Sequence, residues 1–326
     1  MANNPETPIG LDEAVLSAKD LTVTFPMGSL WSRKELIPVN HMTFSLKKDE
    51  VRGLVGESGS GKSSVAKALT RIYTPTHGEM RFHGENVALI RGHELKRYRQ
   101  KVQMVFQDPY SSLNPLKTVR QQLQRPLHLI HNTRYSVDSL LEAVGLSRDL
   151  QYKLPYELSG GQRQRVVIAR AMALNPEIIV ADEPISMLDV SIRASILSLM
   201  NDLRSRYHVS YLYITHDLAS ARYFSDRIMV LYGGHLVEIA GSRELIRHPS
   251  HPYSQLLLAA TPNKRAKKSA LPQKRYGAPN LWASQKGCPF APRCLYVLDE
   301  CYVNRPSWTW ITRTHGVACF SRGTIW

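Results

Sequence analysis

The stretch that most constrains the fold of this chain is GESGSGKS, from Gly56 to Ser63. A short apolar run, EVRGLV at 50–55, precedes it, and a helical pattern, KSSVAKALTRIY at 62–73, follows it. Glycines between a strand and a helix let backbone amide hydrogens turn inward around phosphates, and the helix adds the positive end of its dipole. The sequence therefore predicts a phosphate-binding loop, with Lys62 on the β and γ phosphates and Ser63 on Mg²⁺.

Apolar runs elsewhere favour a parallel sheet. Compact apolar segments recur at 101–106, 177–182 and 210–215, and each leads into polar residues. Strands that are buried on both faces belong in a parallel sheet covered by helices. Helical periodicity replaces this pattern between Asp108 and Ala173. We therefore expect an α/β fold with a helical insertion.

Composition narrows the classes of function. The N-terminus MANNPETPIGLDEA lacks the features of a secretory signal, and no apolar run approaches the ~20 residues of a membrane span. These features predict a cytoplasmic protein. The net charge of +15 suggests an anionic partner. Much of the excess lies at 263–277, however, where runs of lysine and arginine are typical of a solvated linker.

Acidic residues follow the apolar run EIIVAD at 177–182. Asp182, at its end, would place a carboxylate beside Mg²⁺, and Glu183 would polarise an attacking water. His216 follows the run SYLYIT in a similar way. Because the carboxyl ends of parallel strands converge on one ligand crevice, we expect His216 to contact the γ phosphate.

The stretch LSGGQRQR at 158–165 opens a further helical pattern. Its serine hydroxyl, its glycines and a helix N-terminus would make a second anion-binding surface. With this motif the chain resembles the ATP-binding cassette (ABC) ATPases, whose signature is Leu-Ser-Gly-Gly-Gln. The resemblance extends from about Ala14 to Ala260. It implies a P-loop NTPase nucleotide-binding domain with a helical subdomain at about 108–173.

The resemblance also implies roles for individual residues, with ATP held between two subunits in a head-to-tail dimer. Gln107 matches the Q-loop, Asp189 the D-loop, His216 the switch histidine, and Phe25 the aromatic residue that stacks on adenine. The implied nucleotide-binding residues are Phe25, Gly56, Glu57, Ser58, Gly59, Ser60, Gly61, Lys62, Ser63, Ser64, Ser159, Gly160, Gly161, Gln162, Asp182 and Asp189. The implied Mg²⁺ ligands are Ser63, Gln107 and Asp182, and the implied catalytic residues are Glu183, His216 and Gln107.

Two longer signatures, FQDPYSSLNP and HPSHPYSQLLLAATP, are most similar to those of the oligopeptide and dipeptide importer ATPases. The implied function is ATP hydrolysis that powers peptide import. Nickel or oligosaccharide import is an alternative, because those importers share the signatures. A soluble ABC ATPase acting on nucleic acid is a further alternative, suggested by the positive charge. Such proteins commonly carry paired cassettes or a long coiled coil, which this sequence lacks, so no nucleic acid is expected as a partner.

The resemblance implies a larger assembly at the membrane. Its other members would be two transmembrane permease subunits, an extracytoplasmic substrate-binding protein and a second ABC ATPase. The stretch FPMGSLWSRKELIPV at 25–39 looks more like the second ATPase of such pairs, so we expect a heterodimer. The expected location is peripheral, on the cytoplasmic face of the inner (cell) membrane.

All four cysteines, Cys288, Cys294, Cys301 and Cys319, lie near the C-terminus. In a reducing compartment, clustered cysteines are more plausibly metal ligands than disulfides. Their spacing is wide for zinc, whereas four thiolates suit a 4Fe-4S cluster. The similar importer ATPases carry such an array in a C-terminal extension, and in some members it holds a 4Fe-4S cluster. We therefore expect a 4Fe-4S cluster, with zinc or simply buried cysteines as alternatives.

These observations predict three segments: an ABC ATPase domain at 14–260, a linker at 261–287 and a cysteine extension at 288–326. The linker is rich in proline, lysine, arginine and glutamine. None of the expected phosphate-contacting residues lies beyond His216. We therefore expect nucleotide binding to survive the substitution Cys301→Ser.

Overall fold

The structure is a computed structural model of the chain and describes residues 14–27, 34–130, 134–260, 279–282 and 286–321. The described residues fall into two compact units. The first is drawn from Met1–Lys47, Val51–Ile90 and Thr215–Trp326, and the second from Lys48–Glu50 and Arg91–Ile214. Most of the linker predicted at 261–287 lies outside the described residues.

The regular elements are numbered here in chain order. The strands are β1 (Ala14–Met27), β2 (Lys34–Lys47), β3 (Val51–Val55), β4 (His77–Phe82), β5 (Glu85–Asn86), β6 (Val102–Val105), β7 (Ile178–Asp182), β8 (Ser210–Thr215), β9 (Arg227–Tyr232), β10 (His235–Gly241), β11 (Thr309–Trp310) and β12 (Gly316–Val317). The helices are α1 (Lys62–Leu69), α2 (Gly92–Lys101), α3 (Pro109–Ser112), α4 (Val119–Leu129), α5 (Val137–Ala143), α6 (Gly160–Met172), α7 (Val190–Tyr207), α8 (Leu218–Phe224), α9 (Ser242–Arg247), α10 (Pro252–Ala260) and α11 (Glu300–Val303).

The first unit contains two groups of paired strands. One is antiparallel, in the order β2-β1-β4-β5, and residue Ala18 of β1 lies between Phe44 and Met80 of its neighbours. In the other, strands follow the order β11-β12-β10-β9-β3, with β3 parallel to β9 and the remaining pairs antiparallel. The five residues of β3, VRGLV, are all buried, including Arg52.

The second unit carries the parallel pairing expected from the sequence. Strand β7 pairs with β6 and with β8, so that Ala181 lies opposite both Val105 and Tyr213. Every residue of β7 and β8 is buried. Helices α3 to α6 occupy the chain between β6 and β7. The starts of α4, α5 and α6 are fixed by reciprocal capping boxes at Thr118, Ser136 and Ser159.

The structure confirms the strands predicted around 50–55, 101–106, 177–182 and 210–215. The antiparallel strands of the first unit were not predicted, because their polar and apolar residues alternate irregularly along long ribbons. Within the described part of the chain, no helix combines the length and the apolar character needed to cross a membrane.

Candidate nucleotide-binding and catalytic residues

The phosphate loop joins β3 to α1 in the first unit, and its backbone requires glycine at particular positions. Gly61, which precedes the first residue of α1, has φ of +109°, and a Cβ added there would lie 2.0 Å from the carbonyl oxygen of Pro38. Gly59 has φ of +78°, with open space where a side chain would project. The loop therefore holds its backbone in a conformation that side chains would prevent.

Lys62 is buried, and its ammonium group is held by the loop itself. Its Nζ donates to the carbonyl oxygens of Gly56, at 2.8 Å, and Glu57, at 2.9 Å. The next two residues, Ser63 and Ser64, form the exposed and half-buried start of α1. A cation beside a glycine loop at a helix N-terminus suits a bound phosphate chain, so these residues fit ATP with its magnesium ion.

The turn between β9 and β10 contacts the phosphate loop. The carbonyl oxygen of Ser60 accepts a hydrogen bond from the amide of Gly234, at 2.9 Å, in the turn between β9 and β10. Gly56 also lies close to this region, since a Cβ there would be 2.4 Å from the carbonyl oxygen of Leu231. Ser60 is fully buried. The loop is thus fixed by its surroundings as well as by its own glycines.

Glu57 has two partners outside the loop that the sequence did not indicate. Its amide donates to the hydroxyl oxygen of Tyr253, at 2.8 Å, and its carboxylate forms an ion pair with Arg293. Tyr253 lies in the family signature HPSHPYSQLLLAATP, and Arg293 lies between Cys288 and Cys294, in a segment that the sequence marked only by its cysteines. No local pattern marks either residue as part of a nucleotide site, because their contacts join positions about two hundred residues apart.

In the second unit, the end of β7 places the predicted acidic pair. Asp182 is the last residue of β7 and is buried. Glu183 follows it in the left-handed region, with φ of +48°, and its amide donates to the carbonyl oxygen of Ile214, at 2.9 Å. Gln107 Nε2 donates to Glu183 Oε2, at 3.2 Å. The structure therefore brings together two of the predicted catalytic residues, Gln107 and Glu183.

The signature residues also lie in the second unit, at the start of α6. Ser159 Oγ accepts from the amide of Gln162, at 3.3 Å, while Gln162 Oε1 accepts from the amide of Ser159, at 2.9 Å. Gly160 follows the cap. At Gly161 a Cβ would lie 2.8 Å from Cγ2 of Ile192 in α7, so a side chain would push the two helices apart.

The remaining predicted residues lie at or beside three further elements. Asp189 immediately precedes α7, and its side chain does not cap that helix. His216 is exposed and follows β8. Phe25 is half-buried on β1 and packs edge-on against Tyr73, with 5.0 Å between ring centroids. Their predicted roles in nucleotide binding and catalysis stay predictions.

The structure does not support the predicted metal centre. All four cysteines are described and none forms a disulfide, yet no group of three or more cysteine, histidine or acidic side chains in the described residues is arranged to hold a metal ion. Burial, with smaller contributions from the other cysteines, raises the pKa of the Cys288 thiol to about 12. In the absence of a metal Cys288 is therefore a neutral thiol, and it would have to release its proton to act as a thiolate ligand. Cys294 belongs to the hydrophobic core of the first unit.

Comparison with known protein families and proteins agrees with this geometry. Residues 39–186 match the ABC transporter family, and residues 237–301 match the oligopeptide/dipeptide transporter C-terminal region. The chain is 40% identical over 319 residues to the oligopeptide transport ATP-binding protein AppF of Bacillus subtilis, covering 94% of this chain and 97% of that protein. It is 42% identical over 254 residues to OppF of Streptococcus mutans, covering 76% of this chain and 82% of that protein.

Solved structures show the same fold. The dimeric ATP-binding cassette MJ0796, in a post-hydrolysis state with ADP and Pi, superposes with a TM-score of 0.61 at 30% sequence identity. The match covers 70% of this chain and 99% of that one. The fold class predicted from the phosphate loop and the apolar runs is therefore correct, apart from the metal-binding extension. The chain belongs to the ABC transporter ATP-binding proteins, in the group that carries the oligopeptide/dipeptide transporter C-terminal region.

Proposed function

We propose that this chain hydrolyses ATP to power peptide import, as the ATP-binding subunit of an ABC transporter. One observation carries the proposal: a complete phosphate loop is followed, in the same chain, by the oligopeptide/dipeptide C-terminal region at residues 237–301. The relatives that share both features over most of their length are named as oligopeptide transport ATP-binding proteins.

The phosphate loop, Gly56 to Ser64, binds the β and γ phosphates of ATP through its amides and through Lys62. Ser63, Asp182 and Gln107 are the residues that would hold Mg²⁺, and the ion would neutralise charge that develops on the phosphates. Phe25 packs on the adenine ring. The geometry that supports this role is the glycine backbone of the loop, together with an ammonium group already placed beside its carbonyl oxygens.

Hydrolysis depends on Glu183, which accepts a proton from the attacking water. The Gln107 amide orients that carboxylate through its hydrogen bond, and His216 contacts the γ phosphate. The left-handed backbone at Glu183 supports the assignment, because strained non-glycine residues cluster at functional sites. Residues Ser159, Gly160, Gly161, Gln162 and Asp189 act on the ATP of a partner subunit, so that ATP binding closes a dimer.

The partner in this dimer is a second, different ABC ATPase. Two transmembrane permeases and an extracytoplasmic substrate-binding protein complete the importer, and the chain works from the cytoplasmic face of the membrane. The names of the relatives support the transport role, and the 25–39 stretch supports the choice of a heterodimer. Within the predicted domain at 14–260, the helical insertion near Asp108 to Leu150 is the surface on which the permeases would dock.

The experiment that tests this function measures ATP hydrolysis and solute uptake by the intact complex, purified from membranes and reconstituted in vesicles. Glu183→Gln is expected to lower hydrolysis by about 10²–10⁴-fold while ATP still binds, because only the proton acceptor is lost. Glu177→Gln is the matched control, since Glu177 lies just before the same strand and pairs with Lys101 on the surface.

Labelled di- and oligopeptides, nickel and oligosaccharides are supplied in parallel. ATP-dependent uptake of peptide alone supports the proposal. Uptake of nickel or of an oligosaccharide instead would assign the complex to the alternative cargo while keeping the ATPase. Normal hydrolysis by Glu183→Gln would remove Glu183 from the catalytic role.

The 4Fe-4S cluster is a separate proposal that rests on the four clustered cysteines of the sequence and on the resemblance, and no step of the proposed function uses it. Its donors would be Cys288, Cys294, Cys301 and Cys319, which would have to rearrange and lose their protons to bind iron. Metal analysis of protein purified without oxygen tests it. About four irons per chain would support the cluster, one zinc would favour the alternative, and metal-free folded protein would exclude both.

A further inference from the structure

The C-terminal segment contacts the phosphate loop through one arginine. Arg293 lies between Cys288 and Cys294, at the end of a short turn, Ala291–Arg293. Its Nη1 donates to Glu57 Oε2, at 2.7 Å, and its Nη2 donates to Glu57 Oε1, at 2.9 Å. Two parallel bonds from one guanidinium to one carboxylate form the bidentate arrangement that fixes both orientation and distance.

The arginine is held firmly on its own side. Its side chain is only 14% exposed, and Nη1 also donates to the hydroxyl oxygen of Tyr232, at 3.3 Å. The guanidinium lies 5.6 Å from the ring centroid of Tyr232 and 5.8 Å from that of Phe290. These rings pack on Tyr253 and belong to the hydrophobic core of the first unit. The arginine is therefore anchored on the core, while the Glu57 side chain that it binds is 31% exposed.

Glu57 is the residue on which several restraints meet. Its carboxylate is bound by Arg293, its amide by the hydroxyl of Tyr253, and its carbonyl oxygen by the ammonium group of Lys62. A continuous set of polar contacts thus runs from Arg293, through Glu57, to the lysine expected to bind the phosphates. Each contact joins residues of the first unit.

The charge of Glu57 gives the contact a further consequence. A carboxylate within a loop that receives the phosphates of ATP repels them. An arginine bound to both of its oxygens neutralises that charge and fixes the position of the carboxylate. Loss of the arginine would leave the negative charge in the loop with no guanidinium to balance it, and ATP would bind more weakly.

We propose that Arg293 is a positioning residue of the nucleotide site, which fixes and neutralises Glu57 and so keeps the phosphate loop ready for ATP. The proposal rests on the proposed function only in taking ATP as the ligand of this loop. The sequence predicted that no phosphate-contacting residue lies beyond His216, and the proposal adds a residue beyond it that supports the loop without contacting the phosphates. A segment some two hundred and thirty residues from the loop in sequence is part of its support.

The test is a charge-compensation series read out by the Kd for fluorescent MgATP and by the KM and kcat of hydrolysis. Arg293→Gln is expected to raise Kd and KM about tenfold and to change kcat by less than about twofold, because a charge-assisted pair is lost outside the reacting atoms. The double variant Glu57→Gln/Arg293→Gln is expected to recover most of the affinity, because it removes the repelling carboxylate as well.

Arg313→Gln serves as the matched control, since Arg313 is an exposed arginine of the same C-terminal segment. It should leave Kd unchanged. An unchanged Kd in Arg293→Gln overturns the proposal, and so does a double variant as weak as the single one, because a purely structural arginine would not be rescued by Glu57→Gln. Wild-type protein that fails to bind ATP would instead contradict the proposed function.

A variant that keeps the charge guards against misfolding of Arg293→Gln. Arg293→Lys retains a cation but cannot form two parallel bonds. It is expected to raise Kd by roughly threefold, an intermediate loss that follows from one bond being kept. Affinity equal to wild type in folded Arg293→Lys would show that the bidentate geometry has no role.

Discussion

At the scale of single residues, the backbone of the site is set by a few unusual φ angles. Gly61 has a left-handed backbone because the chain must turn sharply into α1 next to the Pro38 carbonyl. Glu183 adopts a similar backbone without being glycine, since its amide is drawn to the carbonyl oxygen of Ile214. In both cases a neighbouring strand residue, distant in sequence, determines the local conformation.

The effect of a close neighbouring atom can be separated from the effect of the backbone conformation at two glycines that share a positive φ. Gly61→Ala is expected to destabilise the chain and abolish ATP binding, because its new methyl group would lie 2.0 Å from the Pro38 oxygen. Gly84→Ala is the control, since Gly84 has φ of +81° but nothing within 4 Å of the added group. It should cost only roughly 1–2 kcal/mol, from the left-handed backbone itself. Urea unfolding and ATP binding measure the two effects, and equal losses in both variants would rule out the steric explanation.

At the scale of elements, helix α6 shows how one motif serves two purposes. Ser159 and Gln162 of the signature form the reciprocal cap that starts the helix, so both residues also stabilise the helix locally. Helix α5 has the same kind of cap, formed by Ser136 and Ser139, without any signature motif. Comparing these two helices separates the effect of the cap on stability from any effect of Ser159 on ATP hydrolysis.

Ser159→Ala and Ser136→Ala are each expected to lower the free energy of unfolding by about 1 kcal/mol, because each removes an N-cap hydroxyl. ATP hydrolysis by the assembled complex should fall only in Ser159→Ala. Urea denaturation and steady-state ATPase rates measure the two quantities. Equal hydrolysis in both variants would mean that Ser159 serves only as a cap.

At the scale of the whole molecule, the C-terminal segment is tied into the first unit at several places. Strand β12 extends the strands of that unit by pairing with β10, where Glu238 lies opposite Val317. The buried Glu238 carboxylate accepts hydrogen bonds from the amide of His251 and lies 2.7 Å from His315 Nε2. Chain segments that are distant in sequence therefore share one core, and protonation in that core affects the stability of the whole chain.

Stability is expected to decline in mild acid. Burial lowers the pKa of His251 from 6.5 to about 4, so the histidine is neutral when folded and accepts a hydrogen bond from the amide of Tyr253 at Nδ1, at 3.0 Å. A depressed pKa contributes stability that is present above pH 6.5 and lost as pH falls toward 4, because the unfolded chain takes up the proton first. The expected loss from His251 alone is about 3 kcal/mol over that range.

Urea denaturation between pH 7 and pH 4 measures this dependence. His251→Asn offers a side-chain oxygen to the same amide two residues on, and it does not titrate. The variant should fold at pH 7 and lose less stability than wild type on acidification. A pH dependence identical to that of wild type would exclude His251 as the titrating group. His235, whose pKa burial lowers to about 3, would then be examined next.

The sequence by itself determined the local chemistry. Motifs within a few residues of one another, such as GESGSGKS and LSGGQ, specify turns, caps and donor groups through short-range sterics and hydrogen bonding. Buried parallel strands were recognisable because their sequences are short, mostly apolar runs that lead into polar residues. The sequence therefore predicted the phosphate loop, the strand before Asp182 and Glu183, and the helix that starts after Ser159.

Only the tertiary structure decided which distant segments meet. It placed Arg293 on Glu57, Tyr253 against the phosphate loop and Cys294 in the hydrophobic core. Among the described residues it grouped no three side chains suited to the metal centre that the four clustered cysteines suggested. Such pairings depend on packing across the whole first unit, and no short-range sequence pattern identifies the residue that a side chain will contact. The type of residue determines the chemical group of a side chain, but the folded chain determines its electrostatic partner and its burial.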